Sequence, residues 1–330
     1  MRILYSGSTK SNAGPDNVNK GMVKKLTKNF TYIKCSNKLL MAVECFAKCL
    51  VSDVIVVSGV STINAQLINL AKRLKKKTVY IMHGCAEYEG PLNRQETPQY
   101  MLQQERTLLE KADLLLPVSK KFQRWVQNQY PQYAMKTGYL FNGIEAEELQ
   151  NAPKLPKIPG LVLAAGADRI VKNNRVIAQV VDQMCGRVEL EICGHIYGDV
   201  SSENYTYAKY TGRLDHDDFI KRMAQAEVYV LNSIYEPFCL TVIEALACGC
   251  SVLVSNAAGV VDVLPLEDSD IIYDPTNQDE IQSKLEYVLE HPNNQRICSG
   301  LNLEELSYGK SVERLEAICA GLLRKGCVDK

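Results

Sequence analysis

Short apolar runs alternate with amphipathic stretches along nearly the whole chain, and this alternation limits the fold more than any other feature. Runs such as Val54-Ile55-Val56-Val57 are apolar on both faces, which is typical of strands buried inside a sheet. The strands predicted in the first half are Ile3–Ser6, Thr31–Lys34, Asp53–Ser58, Thr78–Met82, Leu114–Val118 and Tyr139–Phe141. The helical patterns between them lie at about 17–28, 38–50, 62–75, 99–112 and 120–129. This alternation predicts βαβ units and a parallel sheet with helices on both faces.

A proline-rich segment divides the chain into two such regions. Residues 152–160 contain three prolines, which neither a helix nor a central strand accommodates. The strands predicted after it are Leu161–Ala165, Glu189–Cys193, Tyr207–Thr211, Val228–Leu231, Ser251–Val254 and Ile271–Tyr273. Because 330 residues suffice for two domains, we predict an α/β protein whose two Rossmann-like domains, with parallel sheets, face each other across an interdomain cleft. The predicted parts are an N-terminal domain (1–150), a linker (151–160), a C-terminal domain (161–310) and a C-terminal helix (311–330) that packs back toward the N-terminal domain.

The bulk composition excludes several classes of protein. No run approaches the ~20 apolar residues of a membrane-spanning helix, and residues 1–7 read as a core strand rather than a signal peptide. The twelve cysteines are scattered through apolar segments without a Cys-x-x-Cys pair, and the four histidines are too few for a zinc site. We therefore predict free thiols and a cytoplasmic location.

One segment of the second half joins a strand, a turn and a helix with two carboxylates. Glu236 follows the strand 228–231, and the run from Leu240 to Cys248 predicts a helix with Pro237 at its first position. Such a helix start leaves free N–H groups that suit a phosphate, those of Phe238, Cys239 and Leu240. Glu244 lies about two turns beyond Glu236, so the carboxylates should be roughly 10 Å apart. A nucleotide sugar has a matching layout, with hydroxyls at both ends and phosphates between them.

The pattern Glu236-x7-Glu244, followed by Ala245-x-Ala247-x-Gly249, resembles the donor-site signature of the GT4 family of glycosyltransferases (glycosyl transferases group 1). The alternative is a strand–helix unit whose glutamates only face solvent. The resemblance implies the GT-B fold and a retaining, metal-independent hexosyltransferase. Such an enzyme moves a sugar from a nucleotide-diphosphate sugar to a hydroxyl of a glycan or lipid-linked acceptor, in cell-surface polysaccharide or glycoconjugate assembly. It also implies that Glu236 holds the sugar and Glu244 the ribose.

Other segments resemble the same family in the expected order. The loop after the first strand, which includes Gly14, resembles the one that faces donor and acceptor. His83-Gly84 resembles the histidine that contacts the donor sugar from the N-terminal domain. Gly212 resembles a loop residue that contacts the base. The segments 112–119 and 141–144 match the end of the N-terminal domain and look architectural.

The segment expected to bind the diphosphate departs from the family pattern. The family usually has Gly-Arg-Leu-x-x-x-Lys where this chain has Gly166-Ala167-Asp168-Arg169 and then Lys172. A leaving diphosphate needs a cation when no metal is present, so we expect Lys172 to stabilise it, with Arg169 replacing the arginine missing at Ala167. Cys239 stands where relatives commonly have glycine. The cluster 215–218 is assigned to a helix start rather than to Mg²⁺, so no metal and no other cofactor is expected.

Charge gives the only indication of an acceptor. Residues 1–150 carry 21 Lys and Arg against 12 Asp and Glu, although the chain is neutral as a whole. The basic groups are Lys20, Lys24, Lys25 and Lys28, and a second cluster at residues 72–77. One hypothesis is that this face rests on an anionic membrane, so that the protein is peripheral at the inner face and reaches a lipid-linked sugar. The alternative is a solvated charged face. No nucleic-acid partner is expected.

Three other classes of protein remain in competition. An epimerase of GT-B fold is not expected to combine His83-Gly84 with the paired glutamates. A two-lobed solute-binding protein needs a signal peptide and rarely keeps so many free cysteines. A catalytically weak partner subunit, or a protein that only binds nucleotide sugars, is compatible with Ala167.

Overall fold

The computed structural model describes residues 1–11, 14–35, 37–196, 198 and 204–325. In chain order the strands are β1 (Ile3–Gly7), β2 (Phe30–Tyr32), β3 (Val54–Ser58), β4 (Lys77–Met82), β5 (Leu114–Pro117), β6 (Leu161–Ala165), β7 (Glu189–Cys193), β8 (Ala208–Gly212), β9 (Val228–Leu231), β10 (Ser251–Ser255) and β11 (Ile271–Ile272). The helices are α1 (Gly14–Lys25), α2 (Lys38–Val51), α3 (Thr62–Arg73), α4 (Ala86–Leu92), α5 (Gln99–Lys111), α6 (Lys120–Gln129), α7 (Ala146–Gln150), α8 (Asn174–Gln183), α9 (His216–Gln225), α10 (Leu240–Ala247), α11 (Gln278–Glu290), α12 (Asn294–Gly300) and α13 (Tyr308–Lys325). Short 3₁₀ turns cover Pro131–Lys136, Ile170–Lys172, Gly259–Asp262 and Asp268–Asp270.

The N-terminal unit comprises residues 1–91, 95–145 and the chain from residue 303 onward. Its sheet is parallel with the order β2-β1-β3-β4-β5. Every residue of β3 is buried, as the continuous apolar run requires. Because parallel crossovers are right-handed, the reversal of direction at β2 puts α1 on one face and α2, α3 and α5 on the other. Helix α13 packs against α1, and α3 packs against α2 and α5.

The C-terminal unit comprises residues 92–94 and 146–302. Its sheet is also parallel, with the order β11-β10-β9-β6-β7-β8. Helices α8 and α11 cover one face, and Ile177, Leu190 and Leu285 lie in the core beneath them. Strands β6 and β9 are neighbours although more than sixty residues separate them along the chain. The loops that follow these two strands therefore begin side by side.

The prediction of two parallel α/β units is confirmed, and most predicted strands match within one or two residues. The strand predicted at Tyr139–Phe141 is wrong. Its backbone follows β5 through Leu140, whose N–H donates to the Pro117 carbonyl at 3.0 Å, without forming a continuous ladder. The final helix begins at Tyr308, three residues before the predicted start at residue 311.

Two predictions made from composition concern the cysteines and the helices of the described residues. The cysteines described are all free thiols. Burial raises the pKa of Cys250 to about 12, so this thiol is protonated and unreactive at neutral pH. Among the described residues, no helix combines the length and hydrophobicity needed to cross a bilayer.

Candidate active site

Two oppositely charged side chains meet where β6 and β9 end. Lys172 lies in the loop after β6, Glu236 lies in the loop after β9, and the Lys172 ammonium donates to the Glu236 carboxylate. The two side chains are only 17% and 15% exposed. Burial and the nearby charge of Arg169 lower the pKa of Lys172, but the Glu236 carboxylate outweighs them, so the pKa is raised. The loop therefore holds a permanent, fixed cation at the carboxyl edge of the sheet.

A glycine directly after β6 makes room for this lysine. Gly166 has φ +96°, a left-handed conformation that favours glycine. A Cβ at this position would lie 2.5 Å from Lys172 Cγ. Only glycine therefore allows the loop to turn while the lysine stem passes across it.

The helix that follows Glu236 covers the predicted run from Leu240, but it does not include Pro237. Helix α10 begins at Leu240, and Cys239 precedes it with φ 83° and ψ 87°. The expectation that Pro237 is the first helical residue is wrong, because the left-handed Cys239 breaks the helical path. Cys239 makes no side-chain cap, so the first amides of α10, starting with that of Leu240, keep the donor capacity that suits a phosphate. Phe238 is buried, and its carbonyl accepts from the Val260 N–H at 2.8 Å, which fixes the turn.

The remaining predicted groups of this unit occupy defined positions along the same edge. Ala167 is fully buried with φ 44°, so its side chain points into the protein rather than toward a ligand. Arg169 precedes the 3₁₀ turn that carries Lys172. Glu244 is the fifth residue of α10 and is partly exposed. Gly212 ends β8 with φ +75°, and a Cβ there would meet open space. The structure thus brings Lys172, Arg169, Glu236 and Cys239 together, with Glu244 one turn into the helix and Gly212 at an outer strand.

Two buried polar residues at this edge were missed by the sequence analysis. Asn232 and Ser233 directly follow β9 and are fully buried. Asn232 Nδ2 donates to the Pro275 carbonyl at 3.0 Å, whereas Asn232 Oδ1 and Ser233 Oγ have no hydrogen-bond partner in the part of the chain that the structure describes. Buried polar atoms normally have a partner, so these two are exceptions at the edge of the sheet that carries Glu236. The sequence feature that could have revealed these residues is an Asn-Ser pair directly after an apolar strand.

In the N-terminal unit, His83 belongs to a polar network at the end of the strands. It follows β4, and its Nε2 lies 2.8 Å from Ser58 Oγ. Ser58 Oγ donates its only proton to Asn19 Oδ1 at 2.7 Å, and the Tyr5 hydroxyl donates to the same oxygen at 2.6 Å. Ser58 can therefore only accept from His83, which assigns the ring proton to Nε2 and leaves Nδ1 as an acceptor. Tyr5, Asn19 and Ser58 were not predicted, although serines at the ends of buried strands pointed to such a network.

Burial lowers the pKa of His83 to about 4. The imidazole is therefore neutral at physiological pH, and any contact that it makes is a hydrogen bond rather than an ionic one. Gly14 opens α1 and is exposed, and a Cβ placed on it would have no neighbour within 4 Å. Residues 12 and 13, which precede it in the predicted loop, lie outside the described residues.

Metal-ligating side chains are not clustered in this chain where the structure describes it. Within the described ranges, no three His, Cys, Asp or Glu residues come close enough to hold an ion. The fixed positive groups around the candidate site are instead Lys172, Arg169 and the start of α10.

Comparison with known proteins shows a family resemblance over part of the chain. Residues 145–300 match the family model described as "Glycosyl transferases group 1". Over 80 residues the chain is 34% identical to an uncharacterized glycosyltransferase of Methanocaldococcus jannaschii, which is 24% of this chain and 20% of that protein. Over 65 residues it is 32% identical to one of the subunits of the human phosphatidylinositol N-acetylglucosaminyltransferase, which is 20% of this chain and 13% of that protein. The chain therefore matches only a small part of either relative's own length.

Solved structures match over nearly the full chain. The Anabaena protein HepE in complex with UDP has a TM-score of 0.69 at 14% identity, covering 97% of this chain and all of that one. The sucrose-phosphate synthase of Thermosynechococcus elongatus has a TM-score of 0.61 at 16% identity and covers both chains fully. The fold is therefore GT-B, as predicted. The resemblance to glycosyl transferases group 1 is confirmed by the match over residues 145–300, while membership of GT4 stays a prediction.

Proposed function

We propose that this chain is a retaining glycosyltransferase that moves a sugar from a nucleotide-diphosphate sugar to a hydroxyl of a glycan or lipid-linked acceptor. The observation that carries the proposal is the ion pair of Lys172 and Glu236 beside the uncapped start of α10. It combines a cation and free amides for a diphosphate with a carboxylate for sugar hydroxyls. The relatives support this choice of donor, because HepE was solved with UDP and with UDP-glucose.

The proposed reaction breaks the bond between the sugar carbon and the diphosphate oxygen. Lys172, Arg169 and the amides at the start of α10 stabilise the negative charge on the leaving diphosphate. Glu236 accepts hydrogen bonds from the sugar and Glu244 from the ribose. The acceptor hydroxyl attacks the sugar carbon from the face that the nucleotide leaves, which preserves the anomeric configuration, and its proton passes to the departing diphosphate oxygen. Contacts of Gly14 with the donor, of His83 with the sugar and of Gly212 with the base remain predictions from the resemblance, as does independence of metal ions.

A donor panel tests the proposal directly. The purified chain is incubated with UDP-, GDP- and ADP-sugars, with and without EDTA, and release of nucleoside diphosphate is measured. We expect slow release from one donor class, unchanged by EDTA. Lys172→Met and Glu236→Gln should each reduce this rate at least about a hundredfold, as removal of a group that stabilises the transition-state charge does.

A matched variant controls for charge and folding. Glu286→Gln removes a carboxylate that pairs with Arg187 on the surface of the same unit, and it should leave the rate unchanged. Binding of a nucleotide sugar without any turnover, even when candidate acceptors are added, would instead favour the partner subunit or binding protein. Near-normal rates in both site variants would refute the site itself.

A further inference from the structure

Helix α2 presents an apolar face to solvent. The large apolar side chains on this face are 44% to 75% exposed, and they are Leu39, Leu40, Val43, Phe46, Leu50 and Val51. The spacing 39, 43, 46 and 50 is that of one helical face, and Ala42 and Ala47 widen it with further exposed apolar surface. A soluble protein rarely leaves such a continuous apolar stripe uncovered, so the face marks an interaction surface.

Glu44 and Lys48 of α2 point the opposite way, toward the protein. Glu44 accepts the backbone N–H of Cys35 at 2.8 Å and that of Lys34 at 3.1 Å. Lys48 donates to the Tyr32 carbonyl at 2.7 Å and to Glu44 at 2.6 Å. These bonds attach the helix to the end of β2, so it cannot rotate its apolar face inward without breaking them.

The apolar face is bordered by basic side chains. At its C-terminal end, Lys76 Nζ donates to the Leu50 carbonyl at 2.9 Å. Two exposed basic residues lie close to Lys76 along the chain: Arg73, which ends α3, and Lys75, which lies between α3 and β4. Exposed Lys34 precedes α2 along the chain, and its backbone N–H donates to Glu44. The nearby acidic Asp53 accepts the Arg2 N–H at 2.8 Å.

We propose that the α2 face inserts into the headgroup region of an anionic lipid bilayer, with the surrounding lysines and arginine contacting lipid phosphates. An apolar stripe with a basic border suits the surface of an anionic bilayer, because the lipid tails accommodate the apolar side chains while the anionic headgroups attract the cations. A protein partner would have to offer an acidic rim around an apolar groove.

This surface keeps the predicted basic cluster at residues 72–77 but not the predicted lysines of α1. Helix α1, with its lysines, belongs to the opposite helix layer from α2 and α3. Lys25 pairs with Glu145, and Lys20 donates to the Ser11 carbonyl, so both have protein contacts. The membrane surface is thus centred on an apolar helix and not on the lysines that follow β1.

Vesicle flotation tests the inference with the full chain. Phosphatidylcholine vesicles with and without phosphatidylglycerol are compared at low and high salt. We expect flotation with the anionic vesicles and weaker flotation at high salt. Phe46→Ser should weaken binding about tenfold, the effect of removing one buried apolar side chain, and Val43→Asp with Phe46→Asp should abolish it. Tyr100→Ser, which changes an exposed aromatic residue on α5, is the matched control and should float like the wild type.

A spectroscopic variant reports insertion without loss of the apolar face. The emission of Phe46→Trp should shift to shorter wavelength when anionic vesicles are added, whereas that of Tyr100→Trp should not; Trp125 contributes equally to both. Absence of flotation by the wild type, or equal flotation by the Phe46 variants, overturns the inference. A dimer in sedimentation that Phe46→Ser abolishes, without vesicle binding, identifies a second copy as the occupant instead.

The flotation experiment tests the α2 face independently of the proposed donor site. Release of nucleoside diphosphate is measured in vesicle-free solution, where the α2 variants should match the wild type. Absence of flotation by the wild type with intact release refutes only the membrane surface, and flotation of the wild type without release refutes only the proposed transferase.

Discussion

At the scale of single residues, Lys172 and Glu236 show which features of a site can be predicted from a sequence and which cannot. Each could be predicted as a site residue from its local pattern. Their contact could not, because 64 residues separate them and only the adjacency of β6 and β9 brings them together. The network of Tyr5, Asn19 and Ser58 behind His83 was hidden for the same reason.

The contact between Lys172 and Glu236 predicts a coupled effect on stability. Lys172→Met or Glu236→Gln leaves the other charge mostly buried without its partner, and each should lower the free energy of unfolding by about 2 kcal/mol. The double variant removes both charges, so it should cost less than the sum of the two single variants. Urea unfolding of the four proteins measures this coupling. Additive losses would show that the pair does not interact in solution.

The lowered pKa of His83 predicts a pH dependence of stability. The unfolded histidine binds its proton near pH 6.5, whereas the folded one does so only near pH 4. Between these values the unfolded state holds more protons, so the stabilisation present above pH 6.5 is lost as the pH falls toward 4. The loss should amount to at most about 3 kcal/mol. Chemical unfolding at a series of pH values should show this slope in the wild type and a flatter one in His83→Asn; equal slopes would contradict the buried neutral imidazole.

At the scale of elements, the strands and most of the longer helices were predictable, whereas the turn that leads into α10 was not. A strand buried on both faces must be a continuous apolar run, so its position can be read from the sequence. The start of α10 depends on the left-handed conformation of Cys239, which no local pattern reveals. The short helices α4, α7 and α12 carry too few turns to show a hydrophobic period.

The loop between β6 and α8 predicts how a single methyl group would affect the site. Gly166→Ala adds a Cβ 2.5 Å from Lys172 Cγ at a positive φ, so it should displace the lysine and weaken binding of the nucleoside diphosphate by about tenfold or more. Gly249→Ala is a matched control, because Gly249 also has a positive φ but its Cβ would meet only Lys157 at an ordinary 3.6 Å. Both variants should lose about 1–2 kcal/mol of stability to backbone strain. Calorimetric titration with UDP separates the two, and equal binding by both would mean that Gly166 does not position Lys172.

At the scale of the whole molecule, the two units differ in how the chain builds them. The C-terminal unit is nearly continuous, whereas the N-terminal unit needs α13 from the far end of the sequence. Val312, Leu315 and Cys319 of α13 are buried in that unit. The amphipathic period revealed this helix, but its packing against α1 depends on contacts between residues that are remote in the sequence.

Because α13 belongs to the N-terminal unit, we predict that a substitution of one of its buried residues destabilises the sheet of that unit. Leu315→Ala should destabilise the N-terminal unit by about 2–5 kcal/mol, because it empties a fully buried site. Hydrogen exchange should then accelerate in β1 and β3 and remain slow in β6 and β9. Leu285→Ala, equally buried in the other unit, should show the reverse pattern. Acceleration in both sheets by both variants would mean that the units unfold together.

Helix α13 also determines the order in which the protein can mature on the ribosome. Residues 146–302 can complete their sheet as soon as they emerge, because all six of its strands lie within that stretch. The sheet that is synthesised first must wait for residues 308–325 to cover it, with its apolar surface exposed during the interval. A stop codon shortly before residue 308 would therefore damage the beginning of the protein rather than its end, and such a truncated product would be a substrate for chaperones and proteases.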